Sequence, residues 1–515
     1  MSSNQAMGPM TQLLLPYTLP AGATLFNPAM FPDFDGDFLI DNLNPATGYA
    51  LPDLAQSQFV IDAHRDVVGN VPIYESPRLA KMAGVKQMLI ADLSANPGGA
   101  YKIRGALNLI ATETARATLD DLKNWLITCY SHGNHSNGVG LAAEQIRNRR
   151  GAPDGLPVLA AMPCQPQTSI KKIRMSLDRG DTVLLYGNNL TLAENLLADV
   201  TRDGFSSLKA RGIQVIPYSG NTSDEQIRTL LNQSGPFILR KAPLSENWMQ
   251  EWDQRFQHKL LVPPYDRLAV SLGQGTGFID VIKQLPESLV RGGLKVALGV
   301  GGAGFLAGMA SAMHLMGIPG TITGTNRYEM PVFGRSLFAG ELTLDDEELQ
   351  RPEMDSVMDG IDVPKMGQVP MAQIAKLEKA NRGFIRSAFV TETEAREALA
   401  FFAQQHKPES GIPIFEGAAL APIAALINGA VAVGKADTVL VTMSGRNVDQ
   451  RLVDASLQVH GPVVSNADTY GRLINERREV RQRFKGLIPT SLEFWIAKLH
   501  REWAAIEVVN RAFYR

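Results

Sequence analysis

Short apolar runs recur along the chain, separated by stretches whose apolar residues repeat at helical spacing. Met88–Ala91 is one such run, followed by a Pro-Gly-Gly loop and a helical segment, Ile103 to Arg116. Trp125 to Tyr130 reads as a strand leading into Ser131-His132-Gly133-Asn134-His135 and a helix from Gly138 to Arg147. Val158–Met162 and Thr182–Tyr186 read as strands, with helices at Ile170–Asp178 and Leu192–Val200. Leu268–Leu272 reads as a strand, followed by a Gly-rich turn and a helix from Gly277 to Leu285. Leu294–Val300 ends in glycines before a helix at Phe305–Met316. Thr393–Gln405 and Ala418–Gly429 are further helices, and Thr438–Met443 is a late strand. Alternation of this kind predicts an α/β fold with a parallel sheet, because strands buried on both faces read as continuous apolar runs.

Other stretches break the alternation. Residues 1 to about 60 are rich in Pro, Gly, Asn and Asp with scattered Phe26, Phe31 and Phe34, and read as an irregular arm wrapping the body, disordered at its extreme end. Residues 203–260 read partly as an insertion, and residues 340–368 as a long surface connection. From about 465 the chain is helical and charged, with Trp495, Leu499 and Trp503 on one face, set to pack on the body or on a partner subunit.

Composition narrows the classes. Fifty basic and 52 acidic residues give a formal net charge of −2, which argues against nucleic acid or an anionic membrane as main partner. Two cysteines, Cys129 and Cys164, make neither a disulfide framework nor a zinc site and fit a reducing compartment. The N-terminus has no basic leader, and no apolar window reaches about 18 residues. A cytoplasmic protein without a membrane span is the expectation.

Four loops carry candidate chemistry, each after an apolar run. In Gly98-Gly99-Ala100-Tyr101-Lys102, the lysine is either a surface charge or a Schiff-base amine beside glycines that let a flat cofactor approach. Gly299-Val300-Gly301-Gly302-Ala303-Gly304 lies where a strand ends and a helix begins, which suits a phosphate. Its spacing also satisfies a dinucleotide fingerprint, but the acid required about 20 residues on is missing, the nearest being Glu329. Ser131 to His135 is either a helix cap or a ligand loop at a strand end. Ser444-Gly445-Arg446-Asn447 is either a polar turn or a hydroxyl that meets a ring nitrogen. His132 and His135 lack an acid or a further ligand at helical spacing, so no metal site is expected.

In this order the loops resemble those of the fold-type II pyridoxal-phosphate enzymes, the threonine and serine dehydratase branch in particular. Ala100-Tyr101-Lys102-Ile103-Arg104-Gly105-Ala106 is similar to the family's Ser-Phe-Lys-x-Arg-Gly-Ala. Gly133-Asn134-His135-Ser136-Asn137-Gly138-Val139 resembles Gly-Asn-His-x-x-Gly-Val, and Gly273-Gln274-Gly275-Thr276 stands intact. Gly301 to Gly304 resembles the tetraglycine loop, Ser444 to Asn447 the Ser-Gly-Gly-Asn turn, and Glu416 precedes a small-residue helix as in the family.

The resemblance implies two open, twisted, mostly parallel sheets flanked by helices, with an N-terminal arm and a helical C-terminal tail. The expected domains are an arm at 1–60, a large cofactor domain at 61–121 and 203–460, a small α/β domain at 122–202 and a tail at 461–515. Pyridoxal 5'-phosphate is the implied cofactor. Lys102 would carry the imine and move the Cα proton, with Tyr101 packed near the ring and Asn134 bonding its O3′. Gly301, Gly302, Ala303 and Gly304 would hold the phosphate, and Ser444 would face the ring nitrogen. Ser131, Asn134 and His135 would grip the substrate carboxylate.

The implied reaction is β-elimination from a small β-hydroxy or β-amino amino acid, giving a 2-oxo acid and ammonia, in a homo-oligomer of two or four copies. A β-replacement synthase and a racemase are the rivals. Five departures stand out. Ala100 replaces a serine. His132 stands where relatives carry serine, alanine or an acid, either as a second base, as a contact for an acidic side group or as a loop histidine bonded to backbone. Ala303 replaces a glycine, tolerable unless φ is positive there. Arg446 replaces another glycine, placing a cation near Ser444 or pointing away into solvent. Asn326 stands near a family metal ligand, so no cation is expected there.

Overall fold

The computed structural model describes residues 13–26, 54–233, 235–344, 349, 355–406 and 411–514. Most of the expected N-terminal arm, Phe31 and Phe34 included, lies outside these. Among the described residues thirteen strands form two sheets. The larger contains β1 (Leu15–Pro16), β2 (Ile73–Glu75), β3 (Gln87–Asp92), β10 (Leu294–Gly299), β11 (Gly320–Arg327), β12 (Ile385–Val390) and β13 (Thr438–Met443). Their order is β1-β2-β3-β13-β10-β11-β12. All neighbours from β3 to β12 are parallel, and β2 alone of these strands runs against the rest, pairing antiparallel with both β1 and β3.

The smaller sheet contains β4 (Trp125–Tyr130), β5 (Val158–Met162), β6 (Thr182–Leu185), β7 (Gln214–Pro217), β8 (Phe237–Arg240) and β9 (His258–Leu261), in the order β7-β8-β6-β5-β4-β9. Here the expected boundaries need correction. Residues 203–260 are not an insertion in the large domain. They supply β7, β8 and β9, and β9 pairs with β4 from Trp125↔His258 to Thr128↔Leu261. The small unit therefore runs to about residue 262. Its late strands escape a pattern reading because β7 and β9 are short and only half-buried, so their apolar runs are weak.

A second correction concerns Leu268–Leu272. It is not a strand. It opens one continuous helix, α4 below, through Gly273, Gly275 and Gly277. Every residue of that helix is buried, and such a run cannot be told from a buried strand by periodicity.

The helices that build the site are α1 (Lys102–Thr114), α2 (Asn134–Arg150), α3 (Ile170–Arg179), α4 (Leu268–Ile282), α5 (Gly304–Leu315) and α6 (Gly417–Ile427). Glycines set their spacing. A Cβ on Gly105 would lie 2.7 Å from the Val270 carbonyl oxygen, and one on Gly273 would lie 2.7 Å from that of Arg104. Gly308 of α5 sits directly against the Ser271 carbonyl of α4. A Cβ on Gly138 would stand 2.8 Å from the Ile103 nitrogen, which locks α2 onto α1. Arg104 is fully buried at this crossing and pairs with Asp280 at 2.7 Å.

The C-terminal part forms α7 (Gln450–Ser465), α8 (Ala467–Lys485) and α9 (Leu492–Phe513). Trp495, Leu499 and Trp503 pack with Tyr328, Val480 and Ile506, so the amphipathic face of the tail lies on the body. No helix among the described residues is long and apolar enough to cross a membrane.

Candidate active site

Parallel strands release their chains at their carboxyl ends, where open α/β sheets bind ligands. Four loops leave such ends toward one cavity: those after β3, β4, β10 and β13. The cavity is lined by Tyr101, Lys102, Ser131, His132, Asn134, His135, the Gly301–Phe305 loop and Ser444. Every residue singled out in the sequence for cofactor or substrate thus reaches one place.

The lysine loop and the Ser444 loop run antiparallel. Ala100 bridges Gly445, Tyr101 N–H donates to the Ser444 carbonyl at 3.2 Å, and Arg446 N–H donates to Gly99 at 2.9 Å. This zip sets Ser444 beside the start of α1. Arg446 points neither at Ser444 nor into solvent. Its Nε donates to the Ser94 carbonyl at 2.7 Å, and its far end approaches Asp92 at 3.5 Å.

Lys102 opens its half-buried side chain onto the cavity and donates from Nζ to the Pro264 carbonyl at 3.0 Å. Burial pulls its pKa down from 10.5 to about 7. The amine is therefore substantially neutral near neutral pH, the state a nucleophilic lysine needs. Tyr101 stacks on Phe305, with ring centroids 4.1 Å apart.

The glycine loop closes onto the N-terminus of α5. Gly301 has so little room that a Cβ would come 3.1 Å from Val363 and 3.2 Å from the Ile361 backbone, and the Tyr265 ring lies against Gly302. Only small residues fit, and the first N–H groups of α5 face an anion-sized space. Ala303, the cap of α5, has φ +68°, ψ 0°. The condition for tolerance set by the sequence is thus not met, and this alanine is held in the left-handed region.

The Asn134 loop is held from three sides. Ser131 Oγ accepts from the Gly133, His135 and Ser136 N–H groups at 2.7, 3.1 and 3.1 Å. Asn134 Nδ2 donates to both oxygens of Glu416 at 2.9 and 2.8 Å, and its Oδ1 accepts from Asn447 at 2.9 Å. Lys172 of α3 lies against Gly133 and pairs with Asp359 at 2.6 Å and Glu416 at 3.6 Å. His135 takes a different part from the one expected of its side chain. Its buried Nε2 donates to the Val262 carbonyl at 2.8 Å, and burial lowers its pKa to about 3, so the ring is a neutral strut between α2 and the end of β9. Asn326 bridges backbone, donating to Val300 and accepting from Gly334.

Several lining residues escape a sequence reading: Tyr265, Lys172, Gly360, Ile361 and Val363. The last three belong to the stretch read as a surface connection, and Ile361 and Val363 are each 5% exposed. The Pro-Gly-acid texture around them hides a short buried segment, and no motif marks it.

A neutral lysine, a hydroxyl, a carboxamide and a glycine-lined helix N-terminus around one cavity fit pyridoxal phosphate: amine for the aldehyde carbon, N–H groups for the phosphate, side chains for the ring's polar atoms. The class so defined is that of fold-type II pyridoxal-phosphate enzymes. The family model described as "Pyridoxal-phosphate dependent enzyme" matches residues 64–224 and 206–445, and the chain belongs to that family.

Among its relatives is an L-threonine ammonia-lyase of Geobacter sulfurreducens, 26% identical over 360 residues, 70% of this chain and 67% of that protein. Another L-threonine ammonia-lyase, from Thermotoga maritima, is 25% identical over 409 residues, 78% of this chain and 77% of that one. The fold is that of maize serine racemase (TM-score 0.54, 16% identity, 80% of this chain and 99% of that one). It is also that of the processed form of threonine deaminase isoform 2 from Solanum lycopersicum (TM-score 0.52, 19% identity, 88% and 100%).

Proposed function

We propose that the chain is a pyridoxal-phosphate-dependent ammonia-lyase acting on a small β-hydroxy or β-amino amino acid, with L-threonine or L-serine as first substrates to try. The observation that carries this reading is Lys102, an amine whose pKa burial lowers to about 7, in the same cavity as the Gly301–Gly304 loop. The relatives named for L-threonine ammonia-lyase activity support the choice of substrate.

The bound cofactor supplies an electron sink for the carbanion that forms at the substrate Cα. The remaining work falls to this chain's residues. Lys102 Nζ has its pKa lowered to about 7, so near neutral pH a large share is unprotonated and can take the Cα proton and return one later. Ser131 Oγ already accepts three backbone N–H groups, which leaves its own hydrogen to donate to the substrate carboxylate at the N-terminus of α2. Asn447 and Glu416 fix the Asn134 carboxamide beside the reaction pocket. Ser444 offers a neutral hydroxyl to the ring nitrogen, and a neutral partner limits charge build-up on the ring, which suits elimination. His132 lines the reaction pocket and an adjoining chamber with Lys172 and Glu416, where the β-substituent would leave. We further infer a cytoplasmic homo-oligomer of two or four copies. Two buried, unpaired cysteines support the first part and the family resemblance the second, and light scattering reads the assembly.

The test is a screen of cofactor-loaded protein with L-serine, L-threonine and 2,3-diaminopropionate. From at least one of them a 2-oxo acid is expected, with one ammonia per 2-oxo acid from L-serine or L-threonine and two from 2,3-diaminopropionate. No ammonia from any of the three, in protein whose visible spectrum shows bound cofactor, would sink the lyase reading. Inverted configuration in recovered substrate, without ammonia, would make it a racemase, and consumption of an added thiol would make it a synthase.

A further inference from the structure

A second cavity, of about 470 Å³ against about 70 Å³ for the reaction pocket, lies between the body and the C-terminal helices. Its walls are the edge strand β12, the turn after α6, and the facing sides of α8 and α9. It shares no residue with the reaction pocket. The floor is apolar, formed by Phe389, Leu426, Val431 and Val433.

Five charged side chains line it: Arg478, Arg481, Lys485, Lys498 and Glu502. Arg481 is committed to Glu394 at 2.8 Å. Glu502 accepts from the Tyr328 hydroxyl at 2.8 Å, and burial raises its pKa against the opposing pull of Tyr328, Arg481 and Lys498. Lys498 faces Glu502, while Arg478 and Lys485 have no carboxylate partner among the described residues. Arg478 is the most telling. Its stem lies on Gly429, where a Cβ would come 2.9 Å from Arg478 Cγ, and its guanidinium meets only the Met82 carbonyl. Burial without a counter-ion disfavours its charge. The half-buried Arg478 guanidinium and Lys485, beside the Lys498–Glu502 pair, leave a net positive potential that an anion would neutralise.

From this geometry we infer a second binding site, for a small organic anion whose carboxylate or phosphate meets Arg478, Lys485 and Lys498 while its apolar body rests on Phe389 and Val433. This inference is independent of the reaction assigned to Lys102. The site lies one helix length from the reaction pocket, since α6 begins after Glu416 there and ends at the cavity wall.

Isothermal titration of cofactor-loaded protein tests it, with phenyl phosphate and phenylacetate as probes and inorganic phosphate and acetate as charge-only controls. At least one aromatic anion is expected to bind saturably and more tightly than its control. Whichever aromatic probe binds tighter identifies the head group as phosphate or carboxylate. The double variant Lys485→Glu/Lys498→Glu changes one exposed and one half-buried position away from the reaction pocket, so cofactor absorbance should be retained while affinity falls about tenfold or more, as for lost charged hydrogen bonds. Arg478→Met should weaken the same probe. Absence of saturable binding by both aromatic anions would overturn the inference, as would equal affinity in wild type and the double variant, which would put the binding elsewhere.

Discussion

Lys102 and Ala303 show how much a single residue's surroundings change its meaning. A lysine between glycines reads equally as a surface charge; only the atoms packed around it bring its pKa to about 7. The sign of the consequence can be worked out for cofactor-free protein. The unfolded chain holds a proton on this lysine up to about pH 10.5, and the folded chain releases it near pH 7. The unfolded state therefore binds more protons between those limits, and stability rises with pH across that window. Urea unfolding of cofactor-free wild type and Lys102→Met from pH 7 to pH 10 should show a steeper rise for wild type. Parallel curves would refute the shift. Ala303 tells the complementary story. Its identity was legible in the sequence and its φ of +68° was not, because backbone sign depends on how the loop meets Tyr265 and α5. Ala303→Gly should raise unfolding free energy by about 1 kcal/mol through relief of left-handed strain; a loss of stability would contradict this.

At the scale of elements, the lysine, Asn134, glycine and Ser444 loops were readable because each sits where a strand ends, and the chemistry of such ends is local. What was not readable was how elements pack. The run from Leu268 to Ile282 is helical because glycines on α1, α4 and α5 let three backbones approach, an arrangement no single window of sequence contains. Gly308→Ala would push a methyl into the Ser271 carbonyl. A cost of about 1–3 kcal/mol is expected for such overpacking. Because Gly308 follows the glycine loop on the same helix, cofactor should also dissociate faster. Denaturation and the decay of cofactor absorbance on dilution measure the two effects. If neither changes, the close α4–α5 crossing is not as described.

Over the whole molecule, the two-sheet architecture was legible and its partition was not. Residues 203–262 belong to the small sheet because β9 pairs with β4, a contact across more than a hundred residues. The tail is likewise anchored by a contact invisible in sequence. Arg477 and Glu397 are fully buried and meet through two bonds of 2.6 Å, with Asn510 accepting from Arg477 at 2.9 Å and the Tyr514 hydroxyl donating to Glu397 at 2.7 Å. One ion pair thus ties α8, α9 and the helix Glu392–Gln405 together. Arg477→Met leaves a buried carboxylate uncompensated, and a loss of about 3–5 kcal/mol is expected in urea unfolding. A change within about 0.5 kcal/mol, as for a surface site, would show that the tail is not held this way.

The pocket contains a second lysine, Lys172, whose pKa is raised by Asp359 and Glu416 and whose amine is therefore a poor nucleophile. This contrast makes the central claim decidable. Borohydride reduction of cofactor-loaded protein, followed by peptide mass spectrometry, fixes the cofactor to whichever lysine holds it. The account predicts one pyridoxyl group per chain, on the peptide containing Lys102 and absent from Lys102→Met. Labelling of Lys172, or of no lysine in protein that binds the cofactor, would contradict it.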